Sequence, residues 1–142
     1  MQTYLSKDWN VCILGSQKDK GVATEIKSSI SLNISDRLFD LTGMTTLLDA
    51  IDLLSVSKVA LTNDSGLMHI AAAVNTPLIA LYGPTSPEFT PPLSKNSKVL
   101  RKITGYIRDR QGTERSGYHK SLIDLRPEEV LDELEIFIKK NY

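Results

Sequence analysis

Apolar positions along this chain of 142 residues fall into short runs separated by longer stretches of helical spacing. Asn10 to Leu14 is a β-type run ended by Gly15, and from Lys18 to Ile30 the apolar Val22, Ile26 and Ile30 recur every fourth residue. This pattern predicts strand, glycine turn, helix. Phe39 to Leu41 predicts a brief strand, after which Thr45 or Thr46 caps a helix with Leu47, Leu48, Ile51 and Leu54 on one face. Lys58 to Thr62 reads as the next strand, Asn63 and Asp64 as a turn, and Ser65 to Val74 as an alanine-rich helix stopped by Asn75-Thr76-Pro77. Leu78 to Tyr82 is a buried strand ended by Gly83-Pro84, and Val99 to Ile103 is the last strand.

The final helix runs from Glu128 to Lys140, entered through Pro127, with acids early and lysines late as the helix dipole favours. Val130, Leu131, Leu134 and Phe137 make its apolar side. Thr85 to Asn96 is too irregular for an element and long enough for a functional loop, and Arg108 to Gly117 is polar enough for a flexible surface loop. Strands alternating with helices of this length imply βαβ units. The expected fold class is α/β, a doubly wound, mostly parallel sheet with helices on both faces, spanning residues 1–142 as a single domain.

Charge and composition narrow the partners. Lys plus Arg and Asp plus Glu number 17 each, so no long-range field favours nucleic acid or an acidic membrane surface. The single Cys12 excludes an internal disulfide, and within an apolar run it reads as a small buried hydrophobe. There is no signal-like N-terminus and no run of about 18 apolar residues, so a soluble cytoplasmic protein without a transmembrane segment is expected.

The chemistry concentrates in Leu61-Thr62-Asn63-Asp64-Ser65-Gly66-Leu67-Met68-His69, where a strand end leads into a helix N-terminus. Ligands of open α/β sheets bind at such places. Amides of a first helical turn, with about half a positive charge, can hold a phosphate without a metal. Gly66 permits close approach, Ser65 adds a hydroxyl, and His69 lies one turn on along the same face. Asp64 would repel a diphosphate, and so is expected to cap the helix or to accept from ligand hydroxyls. On spacing alone, plain capping by Asp64 or Ser65 is the favoured reading, and a lone His69 is more often a helix-surface or satisfied core histidine than a ligand.

Other chemistries fit poorly. A Ser/His/Asp triad needs an exposed nucleophile elbow and a separately placed acid, whereas here Asp64 directly precedes Ser65. His69, His119 and Cys12 have no metal-ligand spacing, and neither a G-x-G-x-x-G nor a Walker loop is present. No metal and no separate cofactor is expected.

The blocks from Asn63 to Ala73 and from Thr76 to Thr85 resemble the signature of glycosyltransferase family 9, the lipopolysaccharide heptosyltransferases. The resemblance continues through Ser86 to Ser94 and Gly117 to Asp124. Upstream it includes Leu14 to Asp19 and Leu41 to Leu47, and it covers nearly all of the chain from about Val11 onward. It implies a Rossmann-like domain forming the C-terminal, donor-binding half of a GT-B-type enzyme. Such an enzyme transfers heptose from ADP-L-glycero-D-manno-heptose to the lipopolysaccharide inner core, with inversion and without a metal. By position, Ser65, Gly66, Leu67 and His69 would bind the donor diphosphate, with Asp64 near the sugar. Asp19 would accept from the ribose hydroxyls, and Gly43 and Thr45 would lie in the loop beside adenine.

The departures from the family matter too. Neither its acceptor domain, with the aspartate general base, nor its lysine-containing phosphate loop is recognisable in Met1 to Asn10. The resemblance therefore implies a donor domain truncated at its N-terminus, with no catalytic residue in this chain and no transfer by the chain alone. In GT-B enzymes the last helix packs back on the other domain, which predicts partial exposure of the apolar face of Glu128 to Lys140. Alternatives are a stand-alone or degenerate nucleotide-binding module and a family member with another sugar donor. Partners implied are the ADP-sugar and, through the other domain, the inner-core acceptor. The resemblance leaves open peripheral association with the inner face of the inner membrane.

Overall fold

The computed structural model describes residues 1–105, 107–108, 111–112 and 117–142. They form two compact units, Met1–Ala50 and Ile51–Tyr142, which are described separately.

The first unit holds two parallel strands, β1 (Val11–Ile13) and β2 (Leu38–Asp40), in the register Val11 to Leu38, Cys12 to Phe39 and Ile13 to Asp40. A short helix α1 (Gln2–Leu5) precedes them in a segment for which sequence alone predicts no element. It buries Tyr4 and Leu5, and Trp9 meets Tyr4 edge-on at 5.1 Å between ring centroids. After β1, a 3₁₀ turn over Gln17–Asp19 leads into α2 (Lys20–Ser28), so the helix starts two residues later than its apolar spacing suggests. Ala23 is the residue α2 buries, while Val22 is exposed.

Cys12 is exposed, contrary to the buried position expected of it. Strand partners share a face, and in a sheet of two strands Cys12 pairs with Phe39, which is itself exposed. Partial burial still raises the thiol pKa.

Helix α3 (Leu47–Ser55) crosses the division between the units. Its cap is settled in favour of Thr46. The Thr46 amide and hydroxyl both donate to Asp49 Oδ2 at 2.7 Å, and the Asp49 amide returns to Thr46 Oγ1 at 3.2 Å. This is a reciprocal capping box. Ala50 and Leu54 are its buried residues, whereas Leu47 and Leu48, expected on its inner face, are exposed.

The second unit is built on β3 (Ala60–Asn63), β4 (Leu78–Tyr82) and β5 (Ser97–Arg101), a parallel sheet in the order β3-β4-β5. The expected single sheet is thus two separate parallel sheets among the described residues. The central strand β4 has Leu78, Ile79, Ala80 and Tyr82 without exposed surface, as a parallel strand covered on both faces requires. Between β3 and β4 runs α4 (Gly66–Ala73), which buries Met68, Ala71 and Ala72. Asn75 ends it in the left-handed region at φ 61°. The Thr76 hydroxyl is buried and donates to the Leu54 carbonyl at 2.6 Å.

Strand β5 begins and ends two residues earlier than the apolar run Val99 to Ile103 suggests. A turn of helix, α5 (Lys120–Ile123), is capped by His119, whose Nδ1 accepts from the Ser121 amide at 3.2 Å. The last helix, α6 (Pro127–Asn141), buries Val130, Leu134 and Phe137. Lys98 pairs with Glu133, and Lys102 with Glu129 at 2.6 Å. Of the apolar face expected to be partly exposed, Val130, Leu134 and Phe137 are buried and Leu131 is half-buried, while Ile136 beside it is exposed. The loop expected over Arg108 to Gly117 lies mostly outside the described residues.

Candidate functional site

The C-terminal end of β3 hands the chain directly to α4. The Asp64 amide donates to the Leu81 carbonyl at 3.3 Å, extending the ladder one residue past β3. Ser65 then turns in extended geometry, φ −153° and ψ 170°, and occupies the N-cap position of α4. Its side chain caps nothing. The Ser65 hydroxyl lies 3.4 Å from Thr62 Oγ1, and its carbonyl accepts the Met68 amide at 3.1 Å.

Asp64 does not cap the helix either. Its Oδ2 accepts from the Thr90 hydroxyl at 3.1 Å. The capping reading favoured by spacing is thereby overturned, because Thr90, 26 residues further along the chain, takes the carboxylate. Among the described residues, the amides of Gly66 and Leu67 have no hydrogen-bond acceptor. A helix of eight residues thus presents unclaimed N–H groups at the end of the parallel sheet where α/β folds take ligands.

Gly66 sharpens this geometry. A Cβ at that position meets nothing within 4 Å, and its φ is not of the kind only glycine tolerates. Glycine disfavours helix by about 1 kcal/mol relative to alanine, and no packing within the chain offsets that cost. A phosphate needs free amides that it can approach, and the exposed Gly66 sets no side chain beside them. His69, one turn on along the same face, is exposed.

Beneath this end, the Tyr82 hydroxyl donates to the Thr90 carbonyl and lies 3.3 Å from Met68 Sδ. Burial, then the nearby Asp64 charge, raises the Tyr82 pKa, with the Thr90 hydrogen bond opposing them. Sequence reasoning singles out neither Tyr82 nor Thr90. Thr90 falls in the irregular segment read as a functional loop, but nothing in its neighbours marks a contact back to Asp64.

Asp19, Gly43 and Thr45 belong to the first unit. Asp19 Oδ2 accepts from both the Ser16 amide and the Ser16 hydroxyl at 2.7 Å. The Ser16 hydroxyl, with its amide, holds the Asp19 carboxyl below the usual carboxylate range. Its Oδ1 accepts no hydrogen bond among the described residues. Gly43 has φ +69°, and a Cβ there would meet Gln17 Oε1 and stand 3.0 Å from Gln17 Cα. Its amide donates to the Gly15 carbonyl at 2.8 Å. Thr45, released from capping by Thr46, is half-buried.

Among the described residues no three His, Cys, Asp or Glu side chains group as metal ligands. No helix there is long and apolar enough to cross a membrane.

The sequence pattern of glycosyltransferase family 9 (heptosyltransferase) matches residues 1–119. The match begins at residue 1 and so takes in Met1 to Asn10, which the resemblance from Val11 onward leaves out. The chain is 46% identical to lipooligosaccharide heptosyltransferase 2 of Haemophilus influenzae, over 96% of its own length and 40% of that protein. It is also 46% identical to lipopolysaccharide heptosyltransferase 2 of Escherichia coli K12, over 94% of this chain and 38% of that one. The structure of E. coli ADP-heptose lps heptosyltransferase II superposes with a TM-score of 0.82 at 42% identity, over 96% of this chain and 40% of that chain. A glycosyl transferase family 9 structure from Veillonella parvula shares the fold, with a TM-score of 0.83 at 22% identity, over 98% and 39% of the two chains. The chain thus spans about 40% of the length of these relatives. A parallel α/β fold, a family pattern over most of the sequence and a close superposition at 42% identity agree: this chain belongs to glycosyltransferase family 9.

Proposed function

We propose that this span is the donor-binding part of a heptosyltransferase and that the N-terminal end of α4 holds the diphosphate of an ADP-heptose donor. The observation that carries the reading is the pair of unclaimed amides at Gly66 and Leu67, beside an exposed glycine. Ser65 adds its hydroxyl and His69 an imidazole N–H on the same face. Asp64, drawn aside from the amides, is left to accept from sugar hydroxyls through its second oxygen. Within the first unit, the ribose and adenine assignments use the uncommitted Oδ1 of Asp19 and the loop at Gly43 and Thr45.

The chemistry asked of these groups is electrostatic. As the sugar leaves, negative charge grows on the terminal phosphate of ADP, and amide dipoles already pointing there stabilise it without reorganising. The role assigned to this span is donor binding. By family resemblance, the acceptor, the lipopolysaccharide inner core, and the general base that activates it are assigned to a GT-B partner domain, with the reaction at the cytoplasmic face of the inner membrane.

The test is competition. ADP and inorganic pyrophosphate should compete for one site on the chain, and Gly66→Val should remove both. Binding of ADP that survives in that variant contradicts the assignment.

A further inference from the structure

An aspartate just before a helix readily accepts from the amide two residues ahead, which here is that of Gly66. Asp64 does not. Its Oδ2 accepts from Thr90 Oγ1 at 3.1 Å, a shorter contact than the 3.4 Å from the same hydroxyl to the Ser86 carbonyl. The Thr90 backbone is anchored on both sides: its carbonyl accepts from the Tyr82 hydroxyl and its amide donates to the Ser86 carbonyl at 3.3 Å. Tyr82 has no exposed surface and Ser86 is buried. The anchor therefore lies in the core, whereas the Thr90 hydroxyl reaches the surface where α4 begins.

The consequence for α4 is specific. A carboxylate seated on the Gly66 and Leu67 amides would remove the donors and place a negative charge where a diphosphate must enter. We propose that Thr90 is a positioning residue that restrains the Asp64 carboxylate from those amides and so keeps the start of α4 open to a diphosphate. The inference rests on the diphosphate reading above and adds that the 85–96 segment sets the affinity of the site. Thr90 does not touch the ligand in this account; it acts through Asp64.

Thr90→Val removes the hydroxyl at nearly constant volume, and Thr90→Ser keeps it. In calorimetric titrations of the full chain, Thr90→Val should weaken ADP about five- to tenfold, the equivalent of displacing one side-chain cap. Adenosine, which has no phosphate, should change by less than about twofold, and Thr90→Ser should restore ADP binding. In an Asp64→Ala background the effect of Thr90→Val should vanish. In the nucleotide-free chain, the Gly66 and Leu67 amide protons should exchange more slowly in Thr90→Val, because the carboxylate then covers them. Unchanged ADP affinity together with unchanged exchange overturns the proposal, as does equal weakening of ADP and adenosine. Slower exchange in a chain whose wild type binds no ADP would uphold the Asp64 restraint and refute the diphosphate reading alone.

Discussion

The carbonyl of Ser65 accepts the Met68 amide at 3.1 Å, closing the first turn of α4 while the two intervening amides stay unclaimed. A capping side chain accepts from the second or third amide of a helix, which here are those of Leu67 and Met68. What separates this helix start from that of α3 is the third amide: the Thr46 side chain takes that of Asp49, whereas that of Met68 goes to the Ser65 carbonyl and Ser65 caps with no side-chain bond. Gly66→Val should accordingly abolish ADP binding and leave the fold intact. Valine disfavours helix no more than glycine does, and the space at Gly66 is empty. Thermal melting should change by no more than a few degrees in either direction, equivalent to about 1 kcal/mol or less. A large drop in melting temperature would show a structural role instead.

His69→Ala should weaken ADP by roughly tenfold, about the worth of one hydrogen bond to a charged group, and leave adenosine nearly unchanged. Parallel titrations with the two ligands check this. Equal losses for both would remove His69 from the phosphate.

Gly43→Ala separates local architecture from nucleotide contact in the first unit. The left-handed φ of +69° costs a non-glycine residue about 1–2 kcal/mol, and the Cβ also crowds Gln17. The melting temperature should fall by several degrees, measured by circular dichroism. An unchanged melting temperature would mean that this loop adjusts without strain.

Three carboxylates give the chain an acid-side dependence. Ser16 and Thr46, each through hydroxyl and amide, lower the pKa of Asp19 and Asp49, and Thr42, whose amide donates to Asp40 Oδ1 at 3.1 Å, lowers that of Asp40. A carboxyl depressed on folding contributes stability that is present above its unfolded pKa and is lost as pH falls through the folded one. Stability should therefore be flat near neutrality and decline below about pH 4. Asp19 and Asp49 are exposed and Asp40 is half-buried, which keeps the contributions of the first two small. The double variant Asp19→Asn, Asp49→Asn should show a shallower decline in melting temperature between pH 5 and about pH 2.5; an identical slope would contradict the caps.

The elements that are legible in the sequence are those whose pattern is local. Strand β4 reads directly from Leu78 to Tyr82, because a central parallel strand is apolar on both faces. The end of α4 reads from Asn75, a residue tolerant of the left-handed turn it adopts. Cys12 is misread because an apolar run does not reveal how many strands flank it. The inner face of α3 is misread as well: Leu47 and Leu48 fit the helical period yet are exposed, and the small Ala50 is what packs closely. At the site, Ser65 and Gly66 are visible as a motif, but Thr90 is not. Its role comes from a contact 26 residues away in sequence, which no local period encodes.

The most direct test is a calorimetric titration of the purified, folded chain with ADP, with UDP and adenosine as controls. The account predicts saturable binding of ADP, tighter than that of adenosine because the diphosphate engages α4 and tighter than that of UDP because the base is adenine. A chain that is folded by circular dichroism and gives no ADP binding, or binds adenosine as tightly as ADP, would contradict the assignment of the Gly66 and Leu67 amides to the donor diphosphate.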